Sequence, residues 1–167
     1  MTQSTNSSTK RRLIVGISGA SGIVYGVRLL QVLQHSDVET HLVMSDSARM
    51  TLATELDMSV KEVEALATEV HSAKNIGATI SSGSFKTMGM VVAPCSIKSL
   101  SEIAYGMTGG LLSRAADVVL EIDELADGLN FIRHRFGQRA LEQPAASVGV
   151  AAVHQHERMS AGDHESP

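Results

Sequence analysis

Residues 12–23 read RLIVGISGASGI. The first six are a short apolar run rich in β-branched residues that leads into glycines, the pattern of a strand buried on both faces. Gly16, Gly19 and Gly22 follow at three-residue spacing. Glycine lets the backbone turn sharply and approach a ligand closely. The segment that follows reads as a helix, whose first N–H groups and positive dipole end favour an anion. Ser18 and Ser21 add hydroxyl donors. The spacing is G-x-x-G-x-x-G and not the dinucleotide fingerprint G-x-G-x-x-G, so a tight strand-to-helix turn without a ligand is the plain alternative.

Outward from this turn, residues 23–34 place Val24, Val27, Leu30 and Leu33 at helical steps, with Arg28, Gln31 and Gln34 between them. Residues 39–44 (ETHLVM) predict a second strand. A βαβ unit of this length implies parallel pairing and a right-handed crossover. Residues 45–56 read as helical. Ser59 to Glu62 match a capping box that opens a helix over 60–70. Residues 78–81 suggest a strand before a polar loop, and 88–94 (MGMVVAP) a further buried strand. Residues 95–105 read as a helix stopped by Gly106. From Leu111 to Leu141 apolar residues recur at steps of three or four, which predicts one long amphipathic helix weakened at Gly128. The expected organisation is a loose polar leader at 1–10, one α/β domain at 11–143, and a disordered tail at 144–167.

The second strand-to-helix junction, Pro94-Cys95-Ser96-Ile97-Lys98-Ser99, repeats the logic of the first. In a parallel sheet both turns lie at carboxyl ends of strands, where open α/β sheets bind ligands. Ser96 and Ser99 can bond a phosphate or simply cap the helix. Lys98 reads equally as a solvated lysine, and Cys95 as a small buried hydrophobe.

Composition narrows the classes. The chain has 167 residues, enough for one ordinary domain, with a 43% hydrophobic content that supports a core. Aromatics make up only 3% and eight Met are present, so the core is aliphatic. A formal charge of −4 with interspersed signs argues against nucleic acid or an anionic membrane as partner. The single cysteine cannot form an intrachain disulfide, which points to a reducing compartment such as the cytoplasm. No apolar run approaches the roughly 18 residues needed to span a bilayer. His154-Gln155-His156 is an isolated H-x-H pair, too little to predict a metal site.

Four blocks then make a resemblance specific: LIVGISGASGIVYGVRLLQVL (13–33), ETHLVMSDSAR (39–49), ATISSGSFKTMGMVVAPCSIKSL (78–100) and GLLSRAADVVL (110–120). In this order they resemble the UbiX-type flavin prenyltransferases. The resemblance implies a flavodoxin-like, Rossmann-like doubly wound parallel sheet, shortened here on its C-terminal side. It implies transfer of dimethylallyl from dimethylallyl phosphate to reduced FMN without a metal. The prenylated product would serve a UbiD-type decarboxylase, and the family assembles as a homo-oligomer, usually a dodecamer. Carried over by position, Gly19, Ala20 and Ser21 match the flavin-contacting turn, and Ser45 matches a flavin-contacting serine. Ser96, Ile97, Lys98 and Ser99 match the second flavin edge. Ser21 and Glu55 match catalytic positions, the serine near the reacting edge of the isoalloxazine and the glutamate in proton movement. Ser82-Gly83-Ser84 matches the loop lining the prenyl site.

The blocks stop at Leu120. The family's next segments, a Lys-Glu-Arg-Arg turn and an Arg-Glu-Thr-Pro run, do not occur in this sequence. A sheet short of strands would leave an apolar edge exposed. The resemblance makes the arginine of the Arg-Glu-Thr-Pro run an FMN-binding group; Arg114, Arg133, His134 and Arg135 are the basic groups that could substitute for it, although a solvated basic face is the simpler reading. A flavoprotein that binds FMN without turnover is therefore the alternative function.

Overall fold

The structure, a computed structural model, describes residues 11–124 and 151–154. Five strands, β1 (Arg11–Ile17), β2 (Val38–Met44), β3 (Glu69–Ser72), β4 (Gly89–Val92) and β5 (Ala151–His154), form one sheet in the order β3-β2-β1-β4-β5. The first four are mutually parallel and β5 is antiparallel to β4. Helices cover both faces, so the chain has the flavodoxin-like doubly wound fold. On one face α1 (Ile23–Leu33), α2 (Asp46–Glu55) and α3 (Val60–Glu64) enclose Val15, Ile17, Leu42 and Met44. On the other, α4 (Ile97–Ala104) and α5 (Leu111–Glu124) enclose Ile14, Val43, Met90 and Val92. Alternate residues of β1 thus feed two separate cores, which is why 12–17 reads as a continuous apolar run.

The buried stripe of α1 is Ile23, Gly26, Val27 and Leu30, whereas Val24 is exposed. The expected stripe is turned by one residue. The reason is Gly26, where an added Cβ would lie 2.2 Å from the Ala93 carbonyl oxygen. Only glycine lets α1 cross this close to the end of β4.

Three further expectations are corrected. The helix expected over 60–70 ends at Glu64, and β3 follows. Thr40 and Thr68 explain the change: each main-chain N–H donates to the other's hydroxyl, at 3.1 and 3.0 Å, which docks the chain beside β2. Residues Thr79–Ser81 form a 3-10 turn instead of a strand, held by the Ser81 hydroxyl on the Ile76 and Ala78 carbonyls. Within the tail expected to lack structure, Ala151–His154 pairs with β4 and covers the edge that a shortened sheet would expose. The capping box at Ser59 and Glu62 forms as expected. The helix expected over 111–141 is described to Glu124, and its remainder lies outside the described residues.

Candidate functional site at the strand ends

The chain winds outward from β1 to β2 and β3, then crosses back to place β4 on the other side of β1. The order therefore reverses between β1 and β4, and at such a switch point the loops leaving the two strands part to form a crevice. Those two loops are residues 18–22 and 93–96.

Ser18 joins them. It is buried, its hydroxyl donates to the Pro94 carbonyl at 2.9 Å, and the Ser96 N–H donates to that hydroxyl at 2.6 Å. The Ser18 N–H also reaches the Pro94 carbonyl, at 3.1 Å. The expectation that Ser18 adds a hydroxyl donor for a ligand is corrected: its one proton is spent inside the protein, and the side chain acts as a strut that fixes the spacing of the two turns.

Glu55 occupies the anion position at the start of α1. Its carboxylate accepts from the Gly22 N–H at 2.9 Å and the Ile23 N–H at 3.0 Å. Gly22 is the N-cap, with φ of 95° and no side chain to cap with, so the last residue of α2 supplies the cap. A carboxylate at the end of its own helix opposes the dipole there. It gains by bonding two orphan donors of a neighbouring helix. The anion expected at this helix is thus a side chain, and Glu55 is not a bare helix-surface glutamate.

The other junctions are self-capped. Ser45 accepts from the Ala48 N–H at 3.1 Å and bonds the Ser47 hydroxyl at 2.9 Å. Ser96 accepts from the Ser99 N–H at 3.2 Å and donates to the Ser99 hydroxyl at 3.1 Å. At the start of α4 the Leu100 N–H goes to the Ser96 carbonyl. The Ile97 and Lys98 N–H groups have no protein acceptor among the described residues and precede the first intrahelical bond. Ile97 and Lys98 are exposed, and the Lys98 ammonium stands 3.8 Å from Glu102. Ser21 is exposed beside Gly22, with no hydrogen bond of its hydroxyl to a described residue. Gly19 packs on α2, since a Cβ there would lie 2.4 Å from the Ser47 Cβ. Burial pushes the Cys95 thiol up to about 11, so it is a protonated lining group and no nucleophile.

Gly19, Ala20, Ser21, Ser96, Ile97, Lys98 and Ser99 thus sit on two turns stitched together by Ser18, and Glu55 docks from α2. Ser45 follows the neighbouring strand β2, its N–H bonded to the Ile17 carbonyl. Ser82, Gly83 and Ser84 lie on the return path to the start of β4, where Thr87 donates to the carbonyl of Arg12 at the opposite end of β1. No hydrogen bond among the described residues links them to the switch point. Arg114 pairs with Asp117 at 2.8 Å, while Arg133, His134 and Arg135 lie outside the described residues.

A model of the Flavoprotein family matches residues 1–124. The chain belongs to that family. Among curated relatives, the flavin prenyltransferase UbiX of Escherichia coli K12 is 65% identical over 112 residues, which are 66% of this chain and 59% of that protein. The chain therefore spans about three-fifths of the length of this relative. Two solved structures agree with the flavoprotein fold. AnUbiX in complex with FMN and dimethylallyl pyrophosphate is 45% identical with a TM-score of 0.66, over 67% of this chain and 60% of that one. The dodecameric FMN-dependent UbiX-like decarboxylase of Escherichia coli O157:H7 is 52% identical with a TM-score of 0.65, over 66% and 61%. No helix among the described residues is long and apolar enough to cross a membrane.

Proposed function

We propose that this flavoprotein binds FMN across the β1–β4 switch point and is a flavin prenyltransferase, joining dimethylallyl from dimethylallyl phosphate to reduced FMN. The observation that carries the reading is the Ser18 strut, which holds two glycine- and serine-rich strand ends at one fixed separation. Preorganised turns need no ordering when a ligand arrives, so binding free energy is not lost to it.

The residues divide the work. The Ile97 and Lys98 N–H groups and the Lys98 ammonium suit a phosphate, because a helix start offers directed donors and a positive dipole end. That phosphate belongs at α4 because Glu55 already fills the start of α1. Gly19 and Ala20 allow close approach of a flat ring, and Ser45 lines the same edge of the sheet. Ser21 holds an uncommitted hydroxyl toward the reacting part of the flavin. Glu55, bonded to the N–H of Gly22, positions the turn carrying Ser21 and is the nearby group able to accept a proton. Reduced flavin supplies the nucleophilic ring atoms, and the protein's task is to orient them, exclude water and handle the proton.

The wider proposal follows the relatives: a homo-oligomer in the cytoplasm, needing no metal for this reaction, with prenylated FMN delivered to a UbiD-type decarboxylase. One observation favours a second reading, FMN binding without turnover. Residues 121–167 contain no Arg-Glu-Thr-Pro run, whose glutamate the family resemblance makes a proton donor, and losing a proton donor costs about 10²–10⁴ in rate. One preparation tests both readings. The full chain is titrated with FMN by flavin fluorescence, then incubated anaerobically with reduced FMN and dimethylallyl phosphate and analysed by mass spectrometry. Saturable binding with prenylated FMN supports the first reading, and binding without product supports the second. No saturable binding overturns both.

A further inference from the structure

Strands β2 and β3 carry a cluster that the flavin reading does not use. His41 lies on β2 and is the register partner of Glu69 on β3, and His71 is two residues further along β3. Period-two alternation puts Glu69 and His71 on one face of β3. His41 Nδ1 and His71 Nε2 stand 3.1 Å apart, Glu69 Oε2 is 3.5 Å from His41 Nδ1, and Glu69 Oε1 is 3.6 Å from His71 Nε2. One ligand atom from each residue lies within 4.8 Å of the others.

The geometry points to a site for one divalent transition-metal ion of the zinc class, bound by His41 Nδ1, His71 Nε2 and the Glu69 carboxylate. Metal–nitrogen and metal–oxygen bonds of about 2.0–2.2 Å in a tetrahedron separate neighbouring ligand atoms by roughly 3.3–3.5 Å. The two nitrogens stand slightly inside that edge length, and each has a different Glu69 oxygen near it, Oε2 for His41 and Oε1 for His71. Imidazole and carboxylate are the donors such an ion takes. The two histidines are buried while Glu69 is 53% exposed, so an ion reaches the cluster from solvent and water completes its shell.

His41 Nε2 is buried with no hydrogen-bond partner among the described residues. Ligation through Nδ1 would leave the ring proton of His41 on Nε2, away from the ion. Phe85 closes the side of the cluster, its ring centroid 4.9 Å from that of His41. The ion would clip the short edge strand β3 to β2, separately from any flavin chemistry.

The test uses the full chain stripped of metal by chelator and titrated with Co²⁺, then with Zn²⁺ in competition. One equivalent of Co²⁺ should give the visible bands of a four-coordinate complex, and Zn²⁺ should displace it. His71→Gln should weaken binding at least tenfold. Glu69→Gln, a change at an exposed side chain that leaves the fold intact by circular dichroism, should also weaken it. A control variant lacking His154 and His156 should bind as the parent does. Absence of Co²⁺ bands, or unchanged affinity in Glu69→Gln, would show that the two rings only share a proton and would overturn the site. FMN titration of the same variants should be unaltered, so failure here leaves the flavin reading standing.

Discussion

The Ser18 hydroxyl takes the Ser96 N–H at 2.6 Å and gives its own proton to the Pro94 carbonyl at 2.9 Å. Among the described residues of the glycine turn, Ser18 alone bonds the second loop through its side chain. Ser18→Ala leaves the Ser96 N–H without its acceptor in a part-buried setting. The expected cost is about 1–3 kcal/mol, the penalty for stranding a buried donor, read from the urea midpoint at constant m-value. FMN affinity of the folded variant should fall as well, because the two turns lose their fixed spacing. A variant as stable as the parent with unchanged affinity would remove the strut from the account.

Glu55 makes a distinct prediction, since its carboxylate caps a helix 33 residues away in sequence. Glu55→Ala should destabilise the chain by about 1 kcal/mol, the usual value of an N-cap. Glu55→Gln retains one acceptor oxygen and should cost less, on the scale of the lost charge–dipole attraction, roughly 0.3–1 kcal/mol. That difference should shrink as salt is raised, because exposed charges are screened. Urea titrations of the three proteins at low and high ionic strength make the comparison. Equal stability of Glu55→Ala and the parent would mean that the cap is decorative.

These two contacts also mark where local sequence signals end. The β1–turn–α1 unit is legible because its signals are local: a β-branched run, spaced glycines, then a helical period. The β1–β4 switch point is legible because two strand-to-helix junctions carry the same serine-rich chemistry. Ser18 looks like a ligand donor because nothing local reveals that its hydroxyl points inward to Pro94. The capping role of Glu55 stays hidden because its partners, the N–H groups of Gly22 and Ile23, are near in space and not in sequence. The strand β3 is hidden inside an apparent helix, since its anchor is the reciprocal Thr40–Thr68 pair. With β3 unseen, the facing of His41, Glu69 and His71 is invisible too. The flavin roles of the site residues come from the family resemblance, which no single spacing could supply.

Gly19 tests whether the glycine turn serves packing. An added Cβ would meet the Ser47 Cβ and Oγ at 2.4 Å and the Ser47 carbonyl carbon at 2.9 Å. Gly19→Ala should therefore cost about 1–3 kcal/mol as overpacking. Ser47→Gly removes the two nearest atoms at its own cost of about 0.5–1 kcal/mol for glycine in a helix. In the double variant the two costs should fall short of their sum by at least about 0.5 kcal/mol, the coupling expected of residues in contact. Full relief is not expected, because the main-chain carbon remains close. Strict additivity would place the strain elsewhere.

Cys95 gives a prediction in pH. Burial raises its thiol from 9.0 to about 11, so the folded state holds the proton more tightly than the unfolded chain. The group's contribution is then fully present below pH 9 and is lost as pH rises toward 11, where the unfolded state sheds a proton that the folded state keeps. Between those two pH values the loss approaches about 1.4 kcal/mol for every tenfold fall in proton concentration. Lysines and tyrosines titrate in the same range, so the informative quantity is the parent minus Cys95→Ala, measured by urea unfolding from pH 8 to 10.5. That difference should decline with pH. In the native protein at pH 8 iodoacetamide should react slowly with Cys95 and speed up with added urea, since the thiolate is the attacking species and only opening exposes it. Rapid alkylation without denaturant, together with a flat difference curve, would mean that Cys95 faces solvent and that the second loop is not packed as described.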